Sequence, residues 1–504
     1  MRRESAKNTF AWALFVVLIV TLVLVTPTCE AANHFVRSAA TGTATGADWT
    51  NAFTDLPAHL TRGDVYYVAV GTYSHHLFND ADSGTSVIEI RAATTADHGA
   101  ATDWQTTFQG EALFSPTGTG TPDGAVFEFL TDYYLINGNG VRNADWQGGY
   151  LIRASDRNKL ASESVVLISQ RSTFVHDITI DYVNMEGSYA AVDTDNHEQA
   201  FESRCGAANV AVRHSYLHDT GADIMFIKGR HDTTGSSALC NAASNGAQMT
   251  IEYNYLARDY SSSALHGQGL ECDEGQYCVI RYNRFRDIGG TAFIATPSGG
   301  GRLTNNIDNQ WDIYGNVFEL KTAWTNNGAA CSSGGVIQCF DTAFSGPLKF
   351  YNNTMVNINT SICANNSLGA AIFIDSAPSL QCNLNAGLVV QNNLWYNNDS
   401  LTAVNTCSTC SSVTWDHNAY FTQAITDTDG TKQVGSGNPF VGSATDNFRL
   451  AAATSAGVTL PAPYNTDMDG TTRAVDGVWD RGAFEFDSGK RPPLPPPKVA
   501  LVIH

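Results

Sequence analysis

Between Arg213 and Arg302 the chain gathers the residue types that could act on a bond in an acidic substrate. Asp223 stands five residues before Lys228, and Arg230, Arg258, Arg281, Arg284 and Arg286 follow. His218, His231 and His266 fall in the same stretch. Here eight Lys or Arg nearly balance nine Asp or Glu, whereas the whole chain carries a formal net charge of −20. The chain-wide charge argues against nucleic acid as a partner and against broad attraction to anionic polymers. β-Elimination of a uronic acid needs three things: a cation to neutralise the carboxylate, a base to take the C5 proton, and an acid for the leaving oxygen. Lys228, His266 and Arg284 are the expected catalytic groups, with Arg230, Arg281 and Arg286 binding substrate. Calcium with acidic ligands can supply the cation.

Other chemistries compete for the same residues. Hydrolysis would need two or three carboxylates in adjacent turns of the chain, for which Glu271, Asp273, Glu274 and Asp287 are candidates. A glycan-binding or adhesive protein without turnover would instead stack sugar rings on Tyr216, Tyr255, Trp395 and Tyr396. Solvated, paired charges on strand faces are the plain structural alternative for the basic cluster.

The element that must carry these residues repeats. An apolar strand ending in a small polar residue recurs at Val212-Arg-His-Ser215, Ile251-Glu-Tyr-Asn254, Ile280-Arg-Tyr-Asn283, Ile313-Tyr-Gly-Asn316, Phe350-Tyr-Asn-Asn353, Val390-Gln-Asn-Asn393 and Trp415-Asp-His-Asn418. Ile180-Asp-Tyr-Val183 is a precursor without Asn. Successive copies are 39, 29, 33, 37, 40 and 25 residues apart, so a fixed rung alternates with loops of variable length. Apolar residues around each copy alternate at period two, as in Met249, Ile251, Tyr253 and Tyr255, which identifies strands. Parallel stacking at about 4.8 Å would pair every backbone group and let the Asn amides form a ladder. The expectation is an all-β, right-handed, single-stranded parallel β-helix, in which Lys228 stacks near Gln268 and Phe226 near His266. Forty-four Gly and 15% charged residues agree, and a solenoid core can absorb 504 residues in one elongated domain.

Residues 1–31 read as a signal peptide: Arg2, Arg3 and Lys7 precede an apolar run from Phe10 to Val25, and Cys29-Glu30-Ala31 offers a cleavage site. The β-helix domain then spans 32–486, and a Pro-rich tail, including Arg491-Pro-Pro-Leu-Pro-Pro-Pro497, occupies 487–504. Export suits the ten cysteines beyond Cys29, which fall into neighbouring couples: Cys205 with Cys240, Cys272 with Cys278, Cys331 with Cys339, Cys363 with Cys382 and Cys407 with Cys410. Each is expected to staple a loop between rungs. Zinc at Cys407-Ser-Thr-Cys410 lacks a second ligand pair. Trp49, Ala52, Phe53, Leu56 and Leu60 share one face of an expected N-terminal capping helix, with Asp48 as its cap.

The Trp-x-x-Ala-Phe-x-x-Leu segment from Trp49, the Gly63-Asp-x-Tyr-x-Val strand, the Asn-ended rungs and the Asp467-x-Asp-Gly…Asp480-x-Gly-Ala-Phe-Glu ending resemble bacterial right-handed β-helix proteins of the pectate-lyase-like superfamily. Gly221-Ala-Asp223-Ile-Met-Phe-Ile-Lys228 followed by Leu265-His266-Gly267 is similar to calcium-dependent alginate and chondroitin lyases, in which an acidic calcium ligand precedes a Lys base and the next coil supplies Arg-His-Gly. The resemblance implies Asp223 as a calcium ligand and Lys228 as the base, while Gly221 and Leu265 stand where that family carries an acid and an Arg. The resemblance implies a secreted monomer acting on an extracellular, uronate-containing polysaccharide, with no stable membrane partner once the leader is removed.

Overall fold

The computed structural model describes residues 31–118, 120–122, 124–157, 164–168, 174–188, 198–203, 207–228, 248–259, 267–273, 277–288, 292–295, 310–321, 325–326, 329–330, 335–339, 347–362, 372–374, 387–399, 410–422, 427 and 429–487. Arg230, His231, His266, Glu274, the leader through Glu30, the tail from residue 488, and Cys205, Cys240, Cys331, Cys363, Cys382 and Cys407 lie outside these residues.

Among the described residues three long parallel sheets carry the fold. The first has 12 strands from Asn33–Val36 to Val413–Asp416, the second 12 from Gly71–Tyr73 to Gln433–Gly435, and the third nine from His76–Phe78 to Ile372–Ile374. Each coil visits the sheets in turn. Val210–Arg213, Tyr216–Thr220 and Met225–Lys228 make one coil; Gln248–Glu252, Tyr255–Asp259 and Leu270–Asp273 make the next. This is a parallel β-helix. Alternation along each strand turns one residue set inward, so Val212, Ile251, Ile280, Ile313, Phe350 and Val390 stack in register as one buried column. Burying such side chains stabilises the stack by about 1.5–3 kcal/mol each.

The repeated phrase is the corner between the first and second sheets. The residue before each ladder position has a left-handed backbone: His214, Tyr253, Tyr282, Gly315, Asn352, Asn392 and His417 have φ between 49° and 66°. Six of these seven are not glycine, and each such conformation costs about 1–2 kcal/mol. The ladder offsets it. Asn283 Oδ1 accepts the Asn254 N–H at 2.9 Å, Asn316 Oδ1 accepts the Asn283 N–H at 2.8 Å, and Asn353 Oδ1 accepts the Asn316 N–H at 3.0 Å. Each amide also donates to a carbonyl further back, as Asn316 Nδ2 does to Ile280 O at 2.9 Å. The column runs from Ser215, whose Oγ accepts the Val183 N–H, to Asn418.

The expected capping helix is not formed: residues 48–60 are irregular, and Phe53 makes a parallel bridge to Val36. Pro57 removes a donor, and Thr50, Asn51, Thr54 and Asp55 favour turns over a helix interior. Asp48 still caps, its Oδ1 accepting the Asn51 N–H at 2.7 Å. Trp49, Ala52, Leu56 and Leu60 are still buried at the N-terminal end. Cys272–Cys278 is a disulfide, yet it is no surface staple. Both cysteines are fully buried in the core and lie in strands, where Cys272 takes an inward position beside Ile227. Cys410 is also disulfide-bonded. After the last coil an antiparallel pair, Phe440–Gly442 with Asn447–Leu450, begins a C-terminal segment that runs back over the outside of earlier coils. Tyr464 donates to Asp312, Trp479 Nε1 to Asn352, Arg481 to the Asn418 carbonyl, and the Ala483 N–H to Thr354.

Candidate functional site

The outer face of the third sheet carries a column that reads, in register, Glu128, Leu167, Glu202, Phe226, Glu271, Ala295 and Gln338. The carboxylates of Glu128, Glu202 and Glu271 are all at least 97% buried. Ser164 Oγ donates to Glu202 at 2.5 Å. Each acid sits between inward-facing neighbours, as in Phe127-Glu128-Phe129, which is why it projects outward. Glu271 was legible as a candidate acid, whereas Glu128 and Glu202 were not, because their strands precede the Asn phrase that set the register. A single acid inside an apolar strand was the available signal. Long connections enter and leave this sheet: 229–247 follow Met225–Lys228, and 260–266 precede Leu270–Asp273.

Lys228 ends one strand of this sheet, and its backbone is in register with Asp273. The expected register, Lys228 near Gln268 and Phe226 near position 266, is corrected by five residues. Asp223 supplies the reason. Its Oδ1 accepts the Gly267 and Gln268 N–H groups at 3.0 and 2.9 Å, and the Ile224 N–H donates to the Gln268 carbonyl at 3.0 Å. Gly267 and Gln268 are thereby held level with the start of the strand, and Leu270 and Cys272 occupy the inward positions beside Met225 and Ile227. Asp223 is 1% exposed, and among the described residues no three His, Cys, Asp or Glu side chains stand together as a metal site.

The three described arginines are not brought to Lys228. Arg281 ends a first-sheet strand and pairs with Glu252 at 2.6 Å and with the Tyr314 hydroxyl at 2.8 Å. Arg284 and Arg286 project from the second sheet. Arg284 lies 2.5 Å from Glu319 and 3.4 Å from Asp446, and Arg286 reaches Asp446 at 3.1 Å. Burial raises the Glu319 carboxyl while Arg284 and Arg286 act against that rise. This is an ion-pair network holding the C-terminal segment on the sheet. Asp287 directly follows the second-sheet strand Arg284–Arg286 and accepts the Lys321 N–H, so Glu271 and Asp273 in the third sheet are separated from Asp287 beside the second.

His218 belongs to a packed cluster on the second sheet. Its Nδ1 lies 2.5 Å from Asp219 and its Nε2 2.8 Å from Asn184 Oδ1, while its ring stacks on Tyr216 with centroids 3.8 Å apart. Burial lowers the imidazole against the pull of Asp219. Burial also works to raise the Asp219 carboxyl, but Arg258, bonded to both its oxygens, and His218 hold it below the usual range. Nor do the aromatics offer a binding face. Tyr216 and Tyr255 pack under Tyr150 and Trp146, Trp395 is in the core, and Tyr396 meets Phe440.

No protein-family model and no curated protein sequence matches the chain. Among solved structures, the pectate lyase Pel9A is 14% identical, with a TM-score of 0.50 over 91% of this chain and 98% of that one. An alginate lyase from Paenibacillus sp. str. FPU-7 is 12% identical, with a TM-score of 0.36 over 75% and 92%. The Streptococcus pneumoniae surface adhesin PfbA is 10% identical, with a TM-score of 0.27 over 75% and 82%. The likeness to Pel9A, together with the three parallel sheets, identifies the fold as the pectate-lyase-like parallel β-helix. At this identity it speaks for the fold alone.

Proposed function

We propose that this is a secreted, carbohydrate-active β-helix protein that cleaves a uronate-containing polysaccharide by β-elimination on the outer side of the third sheet. The observation that carries the reading is the placement of Lys228 opposite Asp273 at the end of the strand that contributes Phe226 to the column of Glu202, Phe226 and Glu271. Lys228 is two residues from Phe226 and so shares its parity along the strand. In the proposed step the neutral Lys228 amine takes the C5 proton, the released electron pair forms the C4–C5 double bond, and the C4–O4 bond breaks. The leaving oxygen needs a proton, for which His266 is the candidate. Asp223 is a positioning residue here: through Gly267 and Gln268 it fixes the chain that follows His266. Calcium would neutralise the uronate carboxylate if ligands beyond Asp223 completed its shell. The arginines of the first and second sheets have no part.

The test is ultraviolet absorbance of the unsaturated product with alginate, pectate and glycosaminoglycan substrates, with and without calcium. Lys228→Ala should lower kcat by about 10²–10⁴-fold, the usual worth of a general base. Because the base must be unprotonated, the rate of the wild type should climb as pH rises toward the alkaline side. Full activity in Lys228→Ala would remove the lysine from the mechanism, and no product on any of these polymers would sink elimination for them.

A further inference from the structure

At the N-terminal end of the third sheet a cleft of about 420 Å³ opens between the first coil and the segment that closes the core. His75, Leu77 and Asn79 line it from strand His76–Phe78 and its flanks, and Asp55, Leu56 and His59 line it from the closing segment. Its volume falls at the lower end of small-ligand sites, which span about 300–1,000 Å³. The lining mixes donors and acceptors with an apolar patch of Leu56, Leu77 and Pro122. His76 also lines the cleft, is 6% exposed, and its Nε2 has no hydrogen-bond partner among the described residues. Burial pushes this imidazole down to about 4, against Asp80 and Asp55 and together with His75 and His59, so it is neutral. Both aspartates are occupied: Asp55 accepts the Leu56 and Ser74 N–H groups, and Asp80 accepts the Leu60 N–H and the Tyr134 hydroxyl. The His59 and His75 rings are not so committed. His59 is 83% exposed and 3.8 Å from Asp80, and His75 Nδ1 is 3.4 Å from Thr117.

Leu77 is in register with Glu128, but Glu128, Leu167 and Glu202 are buried along the column, so the cleft stands apart from the strand of Lys228. Four strand steps separate strand His76–Phe78 from Met225–Lys228, about 19 Å at the usual strand spacing.

We propose that the cleft is a saccharide-binding subsite, with His59, His75 and Asn79 hydrogen-bonding the hydroxyl or carboxylate groups of a sugar and Leu77 meeting its C–H face. The ligand class rests on the carbohydrate-active reading, whereas the elimination step does not enter it.

Calorimetric titration separates the two. The full chain carrying Lys228→Ala, which removes turnover, is titrated with oligogalacturonates, oligoalginates and cello-oligosaccharides of increasing length, alongside the same chain with His59→Ala and His75→Ala added. Binding by at least one series, weakened about tenfold or more by the histidine substitutions, is the expected result. Equal affinity with and without the histidines, or no binding by any series, overturns the subsite. If the wild type forms no unsaturated product yet the histidines still control binding, the elimination reading falls and the subsite stands. Leu77→Trp, which narrows the cleft without touching the imidazoles, should weaken binding as well, and unchanged affinity there also counts against it.

Discussion

Asn316 sits in the middle of a ladder in which each amide serves three partners. Its Oδ1 accepts from Asn283 N–H and Nδ2, and its own Nδ2 reaches Ile280 O and Asn353 Oδ1. Asn316→Ala would strand buried groups in two neighbouring coils, each costing about 1–3 kcal/mol. Chemical denaturation should show a loss of at least about 3 kcal/mol, with Asn316→Ser recovering part of it, as Ser215 does at the start of the column. An equal loss for Ser and Ala would mean that the ladder bonds are not the source of stability. The Asn column was readable from sequence because one side-chain type at one corner must repeat for the ladder to exist. Lys228 and Asp223 were readable as candidates but not in their register. A carboxylate that binds two backbone N–H groups of the next coil leaves no periodic trace, so the offset of Gly267 and Gln268 from the strand could not be counted from residue spacing.

At the scale of elements, apolar burial was legible where backbone conformation was not. Trp49, Ala52, Leu56 and Leu60 were recognised as the closure of the core, and they are buried, but alternate spacings of three and four also fit an irregular segment interrupted by Pro57. The cysteine couple at 272 and 278 was found by proximity, and its place in the core followed only from the strands on either side. The disulfide closes a short loop, a separation of six residues, for which chain entropy gives about 2–3 kcal/mol. Cys272→Ala with Cys278→Ala should cost at least that much in denaturant, since both sulfurs also fill the core; a neutral double substitution would refute the assignment. The C-terminal segment carries a pH dependence. Burial raises Asp467 to about 6, from 3.8, and Glu485 to about 7, from 4.5, with Arg473 opposing both. A carboxyl raised on folding binds its proton more tightly in the folded state. Its contribution is therefore full below the unfolded pKa and is lost as pH rises through about 6 to about 7. Limited proteolysis within 451–487 should slow as pH falls from neutrality toward 5, and Asp467→Asn should flatten that response. Faster cleavage at the lower pH would contradict the sign.

For the whole molecule, a solenoid whose coils touch only their neighbours should lose stability locally, and the C-terminal segment tests whether that holds. It spans many coils: Tyr282 hydrogen-bonds Thr466, 184 residues away, Tyr464 packs edge-on against Tyr314 and Tyr351, and Asp446 joins Arg284, Arg286 and Lys321. Ending the chain before Pro439 would return Tyr282, Tyr314 and Tyr351 to water and leave Arg284 and Arg286 with only Glu319 and Asp287 as acidic partners among the residues described. Amide exchange should then quicken in the first-sheet strands from Tyr277–Arg281 to Leu388–Gln391, with local opening free energies lower by about 2 kcal/mol or more. Strands Val65–Val68 and Ile88–Ala92, which the segment does not touch, should keep their protection. A uniform loss along the chain would show that the coils unfold as one block, and unchanged exchange in the central strands would show that the segment is only an appendage. A graded result would mean that the third sheet keeps its register near Lys228 even when the far end of the stack frays. A site built at Lys228 requires that property, because the intervening coils then insulate it from disturbance at the C-terminal end.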